Sequence, residues 1–309
     1  MSKILVFGHK NPDTDTIASA IALDYYLEKL GYDSESVALG NPNEETAFAL
    51  NYFNISAPRV IETASNEVTQ VALVDHNEPQ QSVNDIESLE VLYVVDHHRI
   101  NGFNTAQPLY YRAEPIGSTA SVLYKMFQEK DFDIPSAIAG MMLSAIISDT
   151  LLLKSPTTTR EDEMIAYELA KIADVNIDAY GLKLLKAGTN IASKSAKELL
   201  ASDSKVFEMH EHPVQIAQIN TVDFVDVSSR KEELLEEISK TLKDSDVELF
   251  VVLVTDILEN NSFAYVIGQN LEVVEKAFEQ KVVDNEIQLP GVVSRKKQVV
   301  PQLTDAYSK

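Results

Sequence analysis

The stretch Lys3-Ile4-Leu5-Val6-Phe7-Gly8-His9-Lys10-Asn11-Pro12-Asp13-Thr14-Asp15-Thr16 decides the fold. It opens on a continuous apolar run, the mark of a strand buried on both faces of a parallel sheet. The run breaks at Gly8, and Asn11-Pro12 forces a loop because the residue before proline avoids helical angles. A helical pattern follows from residue 16 to about residue 30 and stops at Gly31. Strand, polar loop and helix in this order are one unit of a layered α/β sheet, where ligands gather at the carboxyl ends of strands. One aspartate is enough to cap the helix. His9 and a second aspartate are then left over, and both are metal-ligand types.

The same arrangement recurs further along the chain. An apolar run over 71–74 ends in Asp75-His76-Asn77, and another over 91–95 ends in Asp96-His97-His98. A fourth segment, Ser148-Asp149-Thr150, follows a helical pattern rather than a strand. A strand is also expected over 36–39, and helices over 44–52, 118–128, 136–147 and 160–173, so strand and helix alternate. Each segment has a bland reading on its own: a turn at 75–77, a solvated turn at 96–98, a cap at Asp149. Together they hold four of the six histidines of the chain. Four separate coincidences on one sheet edge are harder to accept than one site. Aspartates packed this closely repel one another, so their pKa values rise or cations bind. Histidine and aspartate without cysteine suit Mn, Co, Fe or Zn, whereas Mg sites prefer oxygen alone. The expectation is a two-metal hydrolase centre.

Composition narrows the function classes. The net charge is -22, from 26 Lys+Arg against 48 Asp+Glu. Such a surface repels polyphosphate backbones at long range and argues against a nucleic-acid binder. A small anion is still compatible if metals and a few cations make the pocket locally positive. The chain has no cysteine, which excludes disulfides, thiolate metal sites and cysteine nucleophiles and fits a reducing, cytoplasmic setting. The run before His9 is too short for a signal-peptide core, and no apolar run approaches the ~18 residues of a membrane span.

A length of 309 residues predicts two domains. The pattern weakens across Gly188-Thr189-Asn190-Ile191-Ala192-Ser193-Lys194, giving a first domain at 1–188, a linker at 189–194 and a second domain at 195–309. The first should be a parallel-sheet α/β domain. The second, smaller one should be a mixed-sheet α/β domain, with strands expected at 206–207, 214–219, 249–254 and 263–267 and helices at 231–243 and 273–278, and 298–301 closing the fold. In it Arg295-Lys296-Lys297 follows Pro290-Gly291, three consecutive cations in an acidic chain. A solvated turn is the ordinary explanation, but arginine geometry also suits a phosphate clamp. His210 and His212 read as an exposed hairpin outside the site.

On these residues the chain resembles the family II inorganic pyrophosphatases, the manganese-dependent branch of the DHH phosphoesterase superfamily. The match takes in residues 9–15, 75–77, 96–98, 148–149 and Ser294-Arg295-Lys296-Lys297. Asp-His-His alone would place only the superfamily, and the late basic motif narrows it. The resemblance implies an active site in the cleft between two domains. In it His9 and Asp13 hold one metal, Asp15, His97 and Asp149 hold the second, and Asp75 bridges both. It further implies that His98 faces the substrate and that Lys205, Arg295 and Lys296 grip pyrophosphate. Two Mn2+, with Co2+ as an alternative, an additional Mg2+ arriving with the substrate, and a homodimer are implied as well. Two metals about 3.5–4 Å apart can share a hydroxide that attacks phosphorus in line, and donors from both domains imply closure on substrate. The nearest rival is another DHH hydrolase acting on polyphosphate, short oligonucleotides or cyclic dinucleotides; the resemblance implies a glycine-rich, histidine-containing motif in the second domain of the nucleotide-cleaving relatives, and this sequence has none. A non-enzymatic metal or phosphate sensor would be expected to lack a ligand or the basic clamp.

Overall fold

The N-terminal apolar run forms strand β1 (Ile4–Phe7), buried at every position, in the computed structural model, which describes residues 3–308. Helix α1 (Thr14–Lys29) starts two residues before the periodic pattern does. Asp13 caps it, accepting from Thr16 N at 2.9 Å, so Asp15 is drawn into the buried first turn. The chain continues through β2 (Ser34–Ala38), α2 (Glu44–Tyr52), β3 (Arg59–Val60), β4 (Gln70–Val74), β5 (Glu90–Asp96) and β6 (Tyr110–Ala113). Helices α3 (Thr119–Glu129), α4 (Ser136–Thr150), α5 (Arg160–Ala173) and α6 (Ile177–Thr189) follow.

The six strands form one sheet in the order β3-β2-β1-β4-β5-β6, with every pairing parallel. The chain runs from β1 out to one edge, then crosses back to β4 and proceeds to the other. This reversal beside β1 opens a crevice at the strand carboxyl ends, the usual ligand position in an open parallel sheet. The loops after β1, β4 and β5 are the three that carry the histidines. Helix α1 packs on α4 and α3. Helix α4 is apolar on nearly all sides, burying Met141, Met142, Leu143, Ile146 and Ile147. Each such side chain removed from water is worth roughly 1.5–3 kcal/mol before entropic costs. The helix does not stop at residue 147: it runs on to Thr150, so Asp149 sits in its last turn. It is ended by Leu151, Leu152 and Leu153, all three at positive φ. Their turn is stitched by Leu152 N to Ile147 O at 2.9 Å and Leu153 N to Thr150 Oγ1 at 3.1 Å.

Contacts divide the chain into two compact units after Gly188. The second contains α7 (Ala196–Ser202), β7 (Ser204–Met209), β8 (His212–Thr221), α8 (Phe224–Ser228), α9 (Lys231–Lys243), β9 (Leu249–Asp256), β10 (Asn261–Gly268), α10 (Leu271–Phe278), β11 (Glu286–Leu289) and α11 (Val300–Tyr307). Its sheet is mixed, in the order β11-β10-β9-β8-β7, with only β8 and β9 parallel. Strand β9 is buried throughout. Phe250, Val252 and Val254 face α7 and α9, whereas Leu249, Val251 and Leu253 face the α10 and α11 side. The segment after α6 is tied to this unit: Ile191 is in its core, and Arg230 Nη1 donates to Ile191 O and Lys194 O. Residues 298–301 are helical. A single wide helical turn over Arg295–Val299 leads into α11, where Pro301 occupies a first-turn position that needs no N–H. No helix among the described residues is long and apolar enough to cross a membrane.

Candidate metal centre

Asp75 directly follows β4, in the left-handed region at φ 59, with its N–H donating to Val95 O at 3.0 Å. A non-glycine residue there is costly unless its surroundings fix it. Here Thr16 Oγ1 donates to its Oδ2 at 2.7 Å, and Thr119 Oγ1 donates to its Oδ1 at 3.2 Å. His9 Nε2 lies 3.4 Å from Asp75 Oδ2 and 3.5 Å from Asp13 Oδ2. On the other side, His97 Nε2 lies 3.5 Å from Asp75 Oδ1, 3.8 Å from Asp149 Oδ2 and 3.9 Å from Asp15 Oδ2. The fold thus gathers His9, Asp13, Asp15, Asp75, His97 and Asp149 in the first unit. They form two groups able to hold an ion, His9-Asp13-Asp75 and Asp15-His97-Asp149, and a third, Asp75-His97-His98, overlaps them.

The ring orientations suit this arrangement. His9 Nδ1 pairs with Lys10 O at 2.8 Å and His97 Nδ1 with Ile116 O at 2.9 Å, so both rings turn Nε2 towards the carboxylates. Asp15 receives Thr119 N at 2.7 Å on one oxygen and Ala120 N at 3.1 Å on the other. Asp96, fully buried, accepts from His97 N, His98 N and Asn77 Nδ2, and its Oδ1 meets His98 Nδ1 at 3.0 Å. It therefore orients the ring of His98, which is half exposed. A cavity of about 280 Å3 opens beside His9, Asp75 and His98. A larger one, about 680 Å3, lies towards Phe103 and Leu89. Its charged lining residues are Glu87 and Glu90, which do not fit an anion.

The electrostatics describe a cluster short of positive charge. Burial pushes Asp15 up to about 6, with Asp75 adding to the effect. Burial likewise raises Asp149 well above the usual carboxylate range, helped by Asp15 and Asp75. Burial opposes charge on the histidines, but the carboxylates prevail: His97 rises to about 9 and His9 to about 11. Burial also opposes the charge of Asp75, which His9 and His97 nevertheless hold below its ordinary range. Protons on the histidines are the local substitute for cations. Donors bound to one first-row ion at about 2.0–2.2 Å sit about 3–3.5 Å apart. The separations around Asp75 are of that size and exceed hydrogen-bond length, so the donor set fits divalent metal.

A pH dependence follows. An imidazole must lose its proton to bind metal, and a carboxyl must be ionised. Below pH 9 the metal-free centre carries protons on His9 and His97, and nearer pH 6 on Asp15 too. Manganese affinity should therefore fall as pH drops from 9 to 6, by about tenfold per unit for each proton expelled. Calorimetry in buffers of different ionisation enthalpy counts those protons; affinity flat across this range would contradict the assignment.

The second unit holds the basic residues. Lys205, on β7, and Lys296 are exposed and make no ion pair among the described residues. Arg295 is held: Nη1 donates to Asp203 O at 2.6 Å and Nη2 to Asp203 Oδ1 at 2.7 Å. His210 and His212 lie apart from these residues in the β7–β8 turn, and His212 pairs with Glu248 and stacks on Tyr307.

A parallel α/β unit with an Asp-His-His strand end, followed by a mixed-sheet unit with a basic turn, defines a DHH-type two-domain protein. Residues 3–146 match the DHH family, N-terminal domain, and residues 182–306 match the DHHA2 domain. Two curated relatives are both named "Probable manganese-dependent inorganic pyrophosphatase". That of Lactiplantibacillus plantarum is 59% identical and that of Lactobacillus acidophilus 57%, each over 100% of both chains. Among solved structures, "Crystal structure of Methanococcus jannaschii putative family II inorganic pyrophosphatase" is 40% identical, with a TM-score of 0.61 over 99% of this chain and 100% of that one. An exopolyphosphatase-related protein from Bacteroides fragilis, 16% identical, shares the fold at a TM-score of 0.52 over 99% of this chain and 92% of that one. The chain belongs to the manganese-dependent, family II inorganic pyrophosphatases.

Sequence reasoning missed the supports of this centre. Ile116 O, Thr119 N and Ala120 N are backbone groups with no side-chain signature. Glu45 Oε1 accepts from both Thr14 Oγ1, at 2.6 Å, and Ser148 Oγ, at 2.5 Å, tying the Asp13–Asp15 segment to Asp149. It is a glutamate in an unremarkable helical pattern.

Proposed function

We propose that this chain hydrolyses inorganic pyrophosphate to two orthophosphates at a two-manganese centre. The observation that carries the reading is Asp75, which faces His9 with one oxygen and His97 with the other at similar distances. His9, Asp13 and Asp75 would hold one ion, and Asp15, His97, Asp149 and the shared Asp75 the other. When bound, the ions supply Lewis acidity, making hydroxide accessible near neutral pH and offsetting phosphate charge.

The remaining steps belong to the protein. His98 uses Nδ1 on Asp96, which raises its pKa and leaves Nε2 to face the substrate. A protonated Nε2 can protonate the departing phosphate. Lys205 and Lys296 offer free ammonium groups to the phosphate oxygens. Asp203 occupies one edge of the Arg295 fork and leaves Nε–H and one Nη2 hydrogen without an acceptor among the described residues. Asp203 then orients the fork while the open edge takes phosphate. The same reading includes Co2+ as an alternative metal, Mg2+ brought by the substrate, and a cytoplasmic homodimer.

The test is phosphate release by metal-stripped protein reloaded with manganese in magnesium buffer, with pyrophosphate, tripolyphosphate and a dinucleotide side by side. Fast release selective for pyrophosphate is the expected result. Preference for tripolyphosphate or the dinucleotide would overturn the substrate assignment.

A further inference from the structure

We propose that Asp162, outside the donor cluster, is a positioning residue that holds His97, Asp15 and Asp75 in register through the backbone of residues 116–120. This rests on the two-manganese reading. The three donors share one support: Ile116 O fixes the ring of His97, Thr119 N and Ala120 N hold both oxygens of Asp15, and Thr119 Oγ1 holds Asp75. A shift of this short segment moves all three donors together, and such outer partners set the aim of metal ligands.

The segment is pinned by one carboxylate. Asp162 is fully buried in the first turn of α5. Its Oδ2 accepts from Gly117 N at 2.9 Å, and its Oδ1 accepts from Ser121 Oγ at 2.6 Å. Oδ2 also accepts from Thr159 N at 2.8 Å and Thr159 Oγ1 at 2.7 Å, completing the cap of α5. The cap requires only Thr159 and Asp162. The bonds to Gly117 and Ser121 add nothing to it; they grip the segment at the neighbour of Ile116 and at the neighbour of Ala120. Glycine at 117 is what permits the approach: a Cβ there would lie 2.7 Å from Asp162 Oδ2 and 2.8 Å from Thr150 Cγ2.

The test compares full-length Asp162→Ala, Asp162→Asn and Leu169→Ala with the wild type by manganese calorimetry on stripped protein, well below each melting temperature. Leu169 is a buried residue of the same helix without a bond to the segment. Asp162→Ala should weaken manganese binding by about tenfold or more, in the step assigned to Asp15-His97-Asp149. Its kcat at fixed manganese should fall with it, and its KM for pyrophosphate should stay near the wild-type value. In Asp162→Asn the amide oxygen can replace Oδ2 and the NH2 can donate to Ser121 Oγ, so affinity should return to within about threefold. Leu169→Ala should lower the melting temperature and leave manganese affinity unchanged. Wild-type manganese binding with unchanged affinity in Asp162→Ala would overturn the positioning role, as would an equal loss in Leu169→Ala. Wild-type protein that takes up no manganese would overturn the two-manganese reading itself, and this inference with it.

Discussion

Asp75→Asn protein should fold normally and release phosphate from pyrophosphate at least about 10^3-fold more slowly than the wild type, the loss of several kcal/mol of metal-derived stabilisation. Asparagine is the appropriate probe because it tolerates the left-handed backbone of residue 75, where an alanine would add strain. It matches the shape of aspartate and can still accept from Thr16 or Thr119. It cannot present two anionic oxygens, one to each histidine. An NH2 group must point at one donor group or the other, removing a ligand and placing hydrogens where a cation belongs. Manganese stoichiometry should drop together with turnover, while the stripped protein still folds, with a lowered melting temperature because His9 and His97 lose their shared counter-charge. Turnover within about tenfold of wild type would show that Asp75 is not shared between ions.

Arg295→Ala should lower kcat/KM for pyrophosphate by roughly 10^2–10^3-fold, the scale for removing one preorganised donor to a developing anion. Manganese binding should be untouched, since all six proposed metal donors lie before Gly188. Arg295→Lys should recover little: an ammonium cannot hold Asp203 with one edge and grip phosphate with the other. Steady-state kinetics beside manganese titration separates the two halves of the site. Wild-type kcat/KM in Arg295→Ala, or a parallel loss of manganese affinity, would remove Arg295 from the substrate-binding group.

How much could be read from the chain depended on where each group's signal lies. Strands β1, β4 and β5 were legible because central parallel strands are continuous apolar runs, and each is broken by a glycine or aspartate. The edge strands β3 and β6 were not: Arg59 and Val60 are exposed, and in β6 Tyr110 and Ala113 are exposed while Tyr111 and Arg112 are only partly covered. Helix α6 escaped notice since Gly181 and Gly188 interrupt its pattern. Gly181 is there because Leu152 packs against it. The end of α4 was misjudged for another reason. A helix usually stops at a glycine or asparagine in the left-handed region, but here three leucines adopt it with no local cue. Asp149 therefore looked like a residue beyond a helix and is part of one. The donors themselves were legible because histidine and aspartate declare their chemistry. Asp162 and Gly117 were not, since their role exists only once residues 45 positions apart come together.

The division at Gly188 also sets an order in time. Domains tend to fold as units during synthesis, at about 5–20 residues per second, with the N-terminal one first. Roughly 120 residues, on the order of 6–24 s of translation, separate the end of the first unit from the end of the chain. A ribosome paused near Gly188 has already made all six proposed His and Asp donors, and has yet to make Lys205, Arg295 or Lys296.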